Sequence, residues 1–216
     1  MKILALELST ARGSVAWLDE NLDLVEQEWA NDRKHSGLFF ENVQNITKKF
    51  DAPEKIIVGL GPGSYAGVRI AIAAAIGLQA ASGARLIGFP SICAIENAAD
   101  DYAVIGDARR QSFYFARIRE NEIVEGPKLF GESGLRDELD KLKPEISIFS
   151  SDNLPQFARV QLGYPSALVL ARLAQNENRS FSTPPLEPIY LREPHITMPK
   201  PAGRGIGILA DGGFTG

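Results

Sequence analysis

Between residues 68 and 81 the only charged residue is Arg69. Within that run Val68, Ile72 and Ile76 recur at helical spacing, while Ala73, Gly77 and Ala81 form a strip of small residues elsewhere on the same helix. A helix that is apolar all round has to be covered all round. One face can lie on a sheet of its own chain. The other face needs a second cover, which leaves two readings open: an internal core helix, or a helix whose outer strip is shared with another subunit. The run is shorter than the roughly 20 apolar residues that span a membrane.

The elements around this helix follow an order that occurs twice. Strand signals over residues 3–8, 13–18 and 22–29, joined by short polar turns, read as an antiparallel meander. A helix follows, with Ser36 as its cap and Phe39, Val43, Ile46 and Phe50 on one stripe. Ile56, Ile57 and Val58 make a short buried strand. A Gly/Pro loop leads into the apolar helix over 66–82, and Gly83 stops it. A strand over 85–88 and a third helix over 91–99 close the first half.

The second half has strands over 102–105, 112–119 and 122–130, the last interrupted at Gly126-Pro127. A helix over 133–142, a strand over 146–150 and a helix over 165–175 follow. Three strands, helix, strand, helix, taken twice, is the order of a duplicated α/β protein of the actin-like and ribonuclease-H-like (ASKHA) type. It places one lobe over 1–99 and a smaller one over 100–200. Prolines bracket a short strand over 189–191, and the glycine-rich residues 201–216 read as a flexible tail.

Composition narrows the function classes. Hydrophobic residues at 44% and charged ones at 23% support a packed core and argue against disorder. A net charge of −4 gives no basic excess, which disfavours a stand-alone nucleic-acid binder. The basic pairs Arg33-Lys34 and Arg109-Arg110 read as solvated surface. Cys93 is alone, so no internal disulfide forms, and its apolar neighbours suit a small buried side chain better than a nucleophile. His35 and His195 have no His or Cys at ligand spacing, so no metal site is expected. Glu7 breaks the first apolar run early, which suits a strand rather than a signal peptide. The expected location is the cytoplasm, away from membranes.

Two segments could carry chemistry. Gly59-Leu60-Gly61-Pro62-Gly63-Ser64-Tyr65-Ala66-Gly67-Val68-Arg69 joins a buried strand to a helix. Such a loop can bring backbone N–H groups to a phosphate. It lacks the Gly-Lys-Ser/Thr of a Walker loop, and its glycines miss the dinucleotide spacing by one place. The alternative is structural: Gly61 and Gly63 for a tight turn, Gly67 for close packing. The hairpin over 7–14 sets Glu7 beside Ser9, Thr10 and Ser14, as a phosphate-holding hairpin or as a plain polar turn. Ser9, Thr10, Gly61, Gly63 and Ser64 are therefore the candidate nucleotide-binding residues.

Four blocks taken together resemble the bacterial TsaB (YeaZ) family: Ile3-Leu4-Ala5-Leu6-Glu7-Leu8-Ser9-Thr10, Gly61-Pro62-Gly63-Ser64-Tyr65-Ala66-Gly67-Val68-Arg69-Ile70, Asp107-Ala108-Arg109-Arg110 with Tyr114, and Pro188-Ile189-Tyr190-Leu191-Arg192. The resemblance implies a two-lobed actin-like fold and a part in making threonylcarbamoyladenosine next to the tRNA anticodon. It implies a non-catalytic subunit that pairs with a TsaD-like catalytic subunit and a TsaE-like ATPase, and forms a homodimer in isolation. On that view tRNA is met only indirectly, and the chain has no cofactor of its own, ATP belonging to the assembled complex. The family's contact helices map onto 36–50 and 66–82, which makes Phe39, Val43, Ile46, Val68, Ile72, Ala73, Ile76 and Gly77 the candidate partner interface. Two features depart from the family: Glu7 stands where aspartate is frequent, and the second half is short, so its helices are expected to be trimmed. The alternatives are a stand-alone actin-like ATPase or phosphotransferase, supported by the hairpin and the glycine loop, and a peptidase, which the scarcity of histidine disfavours.

Overall fold

The computed structural model describes residues 1–19, 24–31 and 36–192. Arg33, Lys34, His35, His195 and the tail 201–216 lie outside the described residues. The meander forms as expected: β1 (Ile3–Glu7), β2 (Arg12–Leu18) and β3 (Leu24–Ala30) pair antiparallel. After α1 (Gly37–Lys49), β4 (Lys55–Gly59) lies parallel to β1 on its other side. After α2 (Tyr65–Ser82), β5 (Arg85–Phe89) lies parallel outside β4. The order is β3-β2-β1-β4-β5. Being central, β1 is buried on both faces, and strand alternation sends Leu4 and Leu6 under α1 and α2 while Ile3 and Ala5 face the other lobe.

The second lobe repeats this wiring. β6 (Asp101–Asp107), β7 (Phe113–Arg119) and β8 (Glu122–Phe130) form the antiparallel part. After α3 (Glu132–Asp140), β9 (Ser147–Ser150) and β10 (Val160–Leu162) add in parallel. The order β8-β7-β6-β9-β10 is the first sheet's order. The duplication read from element order is thus present strand for strand. No helix joins β9 to β10, and Leu154 and Phe157 from that loop fill the core beside Leu135 and Leu139 of α3.

Several local expectations change. Gly126-Pro127 does not break β8, because Gly126 takes φ +81 and the pairing slips its register opposite Phe115 and Arg117. The helix expected over 91–99 is only a 3-10 turn, Ser91–Cys93. Ile92, Cys93, Ala94 and Ile95 are all buried, and the backbone pairs outward instead, Ala94 O accepting from Ser166 N–H and Ile95 bridging to Pro165. Residues 189–191 form no strand. Ser36 precedes α1 but makes no side-chain cap bond, whereas Ser64 caps α2 and Gly83, at φ +72, ends it.

The two sheets are formed by β1–β5 and β6–β10, and the last helix crosses back between them. α4 (Ala167–Ala174) returns to the first lobe and packs on β2, β1 and β4. Ser166 Oγ accepts from the Leu168 and Val169 N–H groups, and Ala167 N–H donates to Ser14 Oγ at 2.8 Å. At the other end Lys55 Nζ, on a residue 4% exposed, donates to Ala174 O at 2.8 Å and to Glu177 at 2.7 Å. A cation on the terminal carbonyl of a helix suits the helix dipole. Leu170 and Ala171 then join Ile3, Ala5 and Ile57 of one sheet and Tyr102, Val104 and Ala116 of the other in a single buried cluster. Each such large apolar side chain contributes about 1.5–3 kcal/mol by burial.

Candidate functional site

Loops from both lobes meet around a cleft of about 500 Å³, within the size range of small-molecule sites. The first lobe contributes the β1–β2 turn (Ser9, Thr10, Ala11) and the entry to α2 (Gly63, Ser64, Tyr65, Ala66). The second contributes Asp107, Ala108 and Arg109 from the β6–β7 turn, with Tyr114, Ser151 and Asp152. Residues 188–192 complete the wall. Four of the five candidate nucleotide-binding residues, Ser9, Thr10, Gly63 and Ser64, are brought together here, and Gly61 does not line the cleft.

The glycine spacing is explained by packing. A Cβ on Gly63 would stand 2.1 Å from Ser9 O, and one on Gly67 would stand 2.1 Å from Leu8 O. The α2 entry therefore lies directly on the end of β1, where Ser64 N–H donates to Ser9 O at 2.6 Å. Gly61, at φ +88, makes the turn, and its N–H donates to Ser91 Oγ at 2.9 Å. Of the two roles weighed for this loop, close packing accounts for Gly63 and Gly67 without a ligand.

Glu7 is 0% exposed and sealed beneath the hairpin rather than open to the cleft. Its Oε1 accepts the Ser9 N–H at 2.7 Å, and the Ser9 and Ser91 hydroxyls lie beside the carboxylate. Burial raises its pKa, with the hydrogen bonds working against the shift. A metal role like that of a cleft carboxylate is not open to this side chain. Asp107, at the matching end of β6, is partly exposed; it accepts the Arg109 N–H at 2.7 Å and pairs with the Arg109 guanidinium at 3.0 Å. Asp152 Oδ2 accepts the Asp107 N–H at 2.9 Å. Sequence reasoning missed Ser151 and Asp152. The usable signal was the duplication itself, since they follow β9 as Leu60 and Gly61 follow β4.

Among the described residues no three His, Cys, Asp or Glu side chains are grouped to hold a metal ion. Cys93 is buried, and burial pushes its thiol up to about 12, far from a reactive thiolate.

The interface expected on the two helices divides. Phe39, Val43 and Ile46 of α1 are buried on their own sheet, as are Val68 and Ile72 of α2, so these five belong to the first lobe's core. The reason is angular. On α2 the buried set is Gly67, Val68, Ala71, Ile72 and Ala75. A series stepping by four drifts about 40° per step off that face, which carries Ile76 out to 50% exposed. Ala73, Ile76 and Gly77 do face outward, with open space beyond Gly77, and on α1 Leu38 and Phe40 are 47% and 51% exposed. By length and composition α2 could cross a membrane, but its inner face is packed on β1, β4 and β5.

Two lobes of one strand order, with their hairpins facing across a cleft, define an actin-like α/β protein. A family model described as TsaD, tRNA N6-adenosine threonylcarbamoyltransferase, matches residues 31–195, and the chain belongs to this family. The tRNA threonylcarbamoyladenosine biosynthesis protein TsaB of Haemophilus influenzae is 26% identical over 237 residues, covering 94% of this chain and 98% of that protein. An uncharacterized protein of Mycobacterium tuberculosis is 28% identical over 142 residues, and the match spans 65% of its length. YeaZ from Pseudomonas aeruginosa superposes with a TM-score of 0.69 at 21% identity, over 88% of this chain and 100% of that one, the same two-lobed fold.

Proposed function

We propose that this chain is a non-catalytic accessory subunit that pairs with a larger TsaD-type protein in the cytoplasm for threonylcarbamoylation of adenosine in tRNA. The observation that carries the reading is the outer face of α2. Ala73, Ile76, Gly77 and Ala80 form an exposed apolar strip, preceded on the same face by Arg69, with Leu38 and Phe40 exposed on the helix on the same side of the sheet. A soluble chain rarely leaves such a strip uncovered. In isolation a second copy covers it; in the assembly the TsaD-type subunit does. A TsaE-type ATPase joins that assembly, tRNA is met through it, and ATP serves the complex rather than this chain.

The test is light scattering after size exclusion, on the chain alone and mixed with the TsaD-type protein of the same organism. A heteromeric peak is expected. Ala73→Glu and Gly77→Leu project into open space, so both variants keep the fold while the peak disappears. Undiminished pairing in both would remove α2 as the contact. A second reading, a stand-alone ATPase or phosphotransferase, is favoured by the cleft and by Ser9, Thr10 and Ser64 on its wall. Titration calorimetry with Mg·ATP tests it, and absence of heat at millimolar ligand would end it.

A further inference from the structure

The described chain ends beside the first turn of α2. Leu186 is buried in the outer cluster of the first lobe, and Ile189 N–H donates to Leu60 O at 2.8 Å. The Tyr190 ring then lies on Tyr65, the first residue of α2, with centroids 5.4 Å apart. Residues 193–216 therefore set out from the N-terminal end of the helix whose outer face is uncovered.

That face has a polarity along its length. Near its start stands the exposed Arg69, hydrogen-bonded to the Tyr65 hydroxyl and paired with no carboxylate among the described residues. Ala73, Ile76, Gly77 and Ala80 follow, with open space beyond Gly77. The last turn carries no basic residue, although a cation there would suit the helix dipole. The sequence beyond Arg192 has an apolar run with a charge at each end: Arg204, then Gly205-Ile206-Gly207-Ile208-Leu209-Ala210, then Asp211. Laid out extended, Arg204 to Asp211 covers about 23 Å. Arg69 to Gly83 covers about 21 Å along a helix. An antiparallel placement sets Asp211 at Arg69, Arg204 at the carbonyls of the last turn, and the isoleucines over Ile76 and Gly77. A parallel placement opposes like charge to Arg69 and an acid to the negative end of the dipole. The reach suffices, because residues 193–204 extend to about 40 Å and α2 is about 27 Å long.

We propose that residues 204–211 lie antiparallel along the outer face of α2 and compete there with any second subunit. The competition rests on the accessory-subunit reading; the docking does not.

The first experiment uses the full chain carrying Gly77→Cys with Gly207→Cys, under mild oxidation at micromolar protein. Cys93 is buried, with its thiol pushed up to about 12, and stays out of the reaction. A disulfide within one chain is expected. It should form at least about tenfold faster than in Gly77→Cys with Gly216→Cys, since docking raises the effective concentration at position 207 above that of a mere tether. Asp211→Arg should slow the link, and adding Arg69→Asp should restore it. Equal rates at 207 and 216, no rescue by the charge swap, or a link between two chains overturns the proposal. The second experiment measures pairing with the TsaD-type subunit by light scattering. Ile206→Asp with Ile208→Asp in the full chain should tighten it about fivefold. Unchanged affinity overturns the competition. Absence of pairing in both chains overturns the accessory-subunit reading instead, while the disulfide decides the docking.

Discussion

The two lobes share one strand order and one set of strand directions, yet they have been put to different uses. The first carries two helices on its outer face and leaves an apolar strip on the second of them. The other lobe has one helix there, and loop side chains Leu154 and Phe157 close its core. At the matching strand ends, Glu7 is sealed and Asp107 is open and paired with Arg109. The first lobe is tightly packed at its hairpin and shaped for contact outside. The second keeps its charged turn toward the cleft. Duplication fixed the frame, and what differs lies in loops and helix faces.

The sharpest break of this symmetry should come from glycine. Gly67→Val in the first lobe drives a side chain into Leu8 O and should cost about 3 kcal/mol or more in urea unfolding. Gly134→Ala in α3 meets only Phe130 Cδ1 at 3.6 Å and should be neutral or stabilise by about 0.5–1 kcal/mol. Equal costs would mean the close approach at α2 is not what the glycine serves. Next comes the tie between lobes. Lys55→Met leaves Ala174 O without its donor and should cost about 2 kcal/mol, with exchange at α4 amides rising before that at β6 or β7. The smallest effect concerns the sealed acid. In the folded state Glu7 holds its proton above the pH at which the unfolded chain has released it, so the wild type loses stability as pH rises through that window. Glu7→Gln should therefore raise the melting temperature more at pH 8 than at pH 4. A pH-independent Glu7→Gln effect would place the carboxylate in a more polar setting than its burial indicates.

Much of this was legible because it is periodic. Short apolar runs gave β1 and β4, and Val15 with Trp17 on one face gave β2; the stripe of Phe39, Val43 and Ile46 gave α1; and the glycine loop with Gly83 bounded α2. What the pattern did not carry was the partner of each face. Phe39 and Val68 are apolar at helical spacing whether the cover is a sheet or another subunit, and only the fold decides. β10 was missed because Val160, Gln161 and Leu162 are three largely exposed residues with no alternation to detect. The run 91–95 passed for helix because four buried apolar residues in a row have no period. Residues 189–191 were read as a strand because of their bulky apolar and aromatic side chains between prolines, but among the described residues their main-chain bonding is the single Ile189 N–H to Leu60 O contact. In the cleft, Ser9 and Ser64 were visible from the hairpin and the glycine block, while Asp152 depends on a contact 45 residues away in sequence.

The return of α4 to the first sheet bears on how the chain is made. The hydrogen bond from Ala167 to Ser14 spans 153 residues. At roughly 5–20 residues per second, the β1–β2 hairpin leaves the ribosome about 8–30 s before the helix that covers its inner face exists. During that interval Ile3, Ala5 and Ala16 have no cover from α4, and the first sheet is a nascent surface open to chaperones or to another nascent chain.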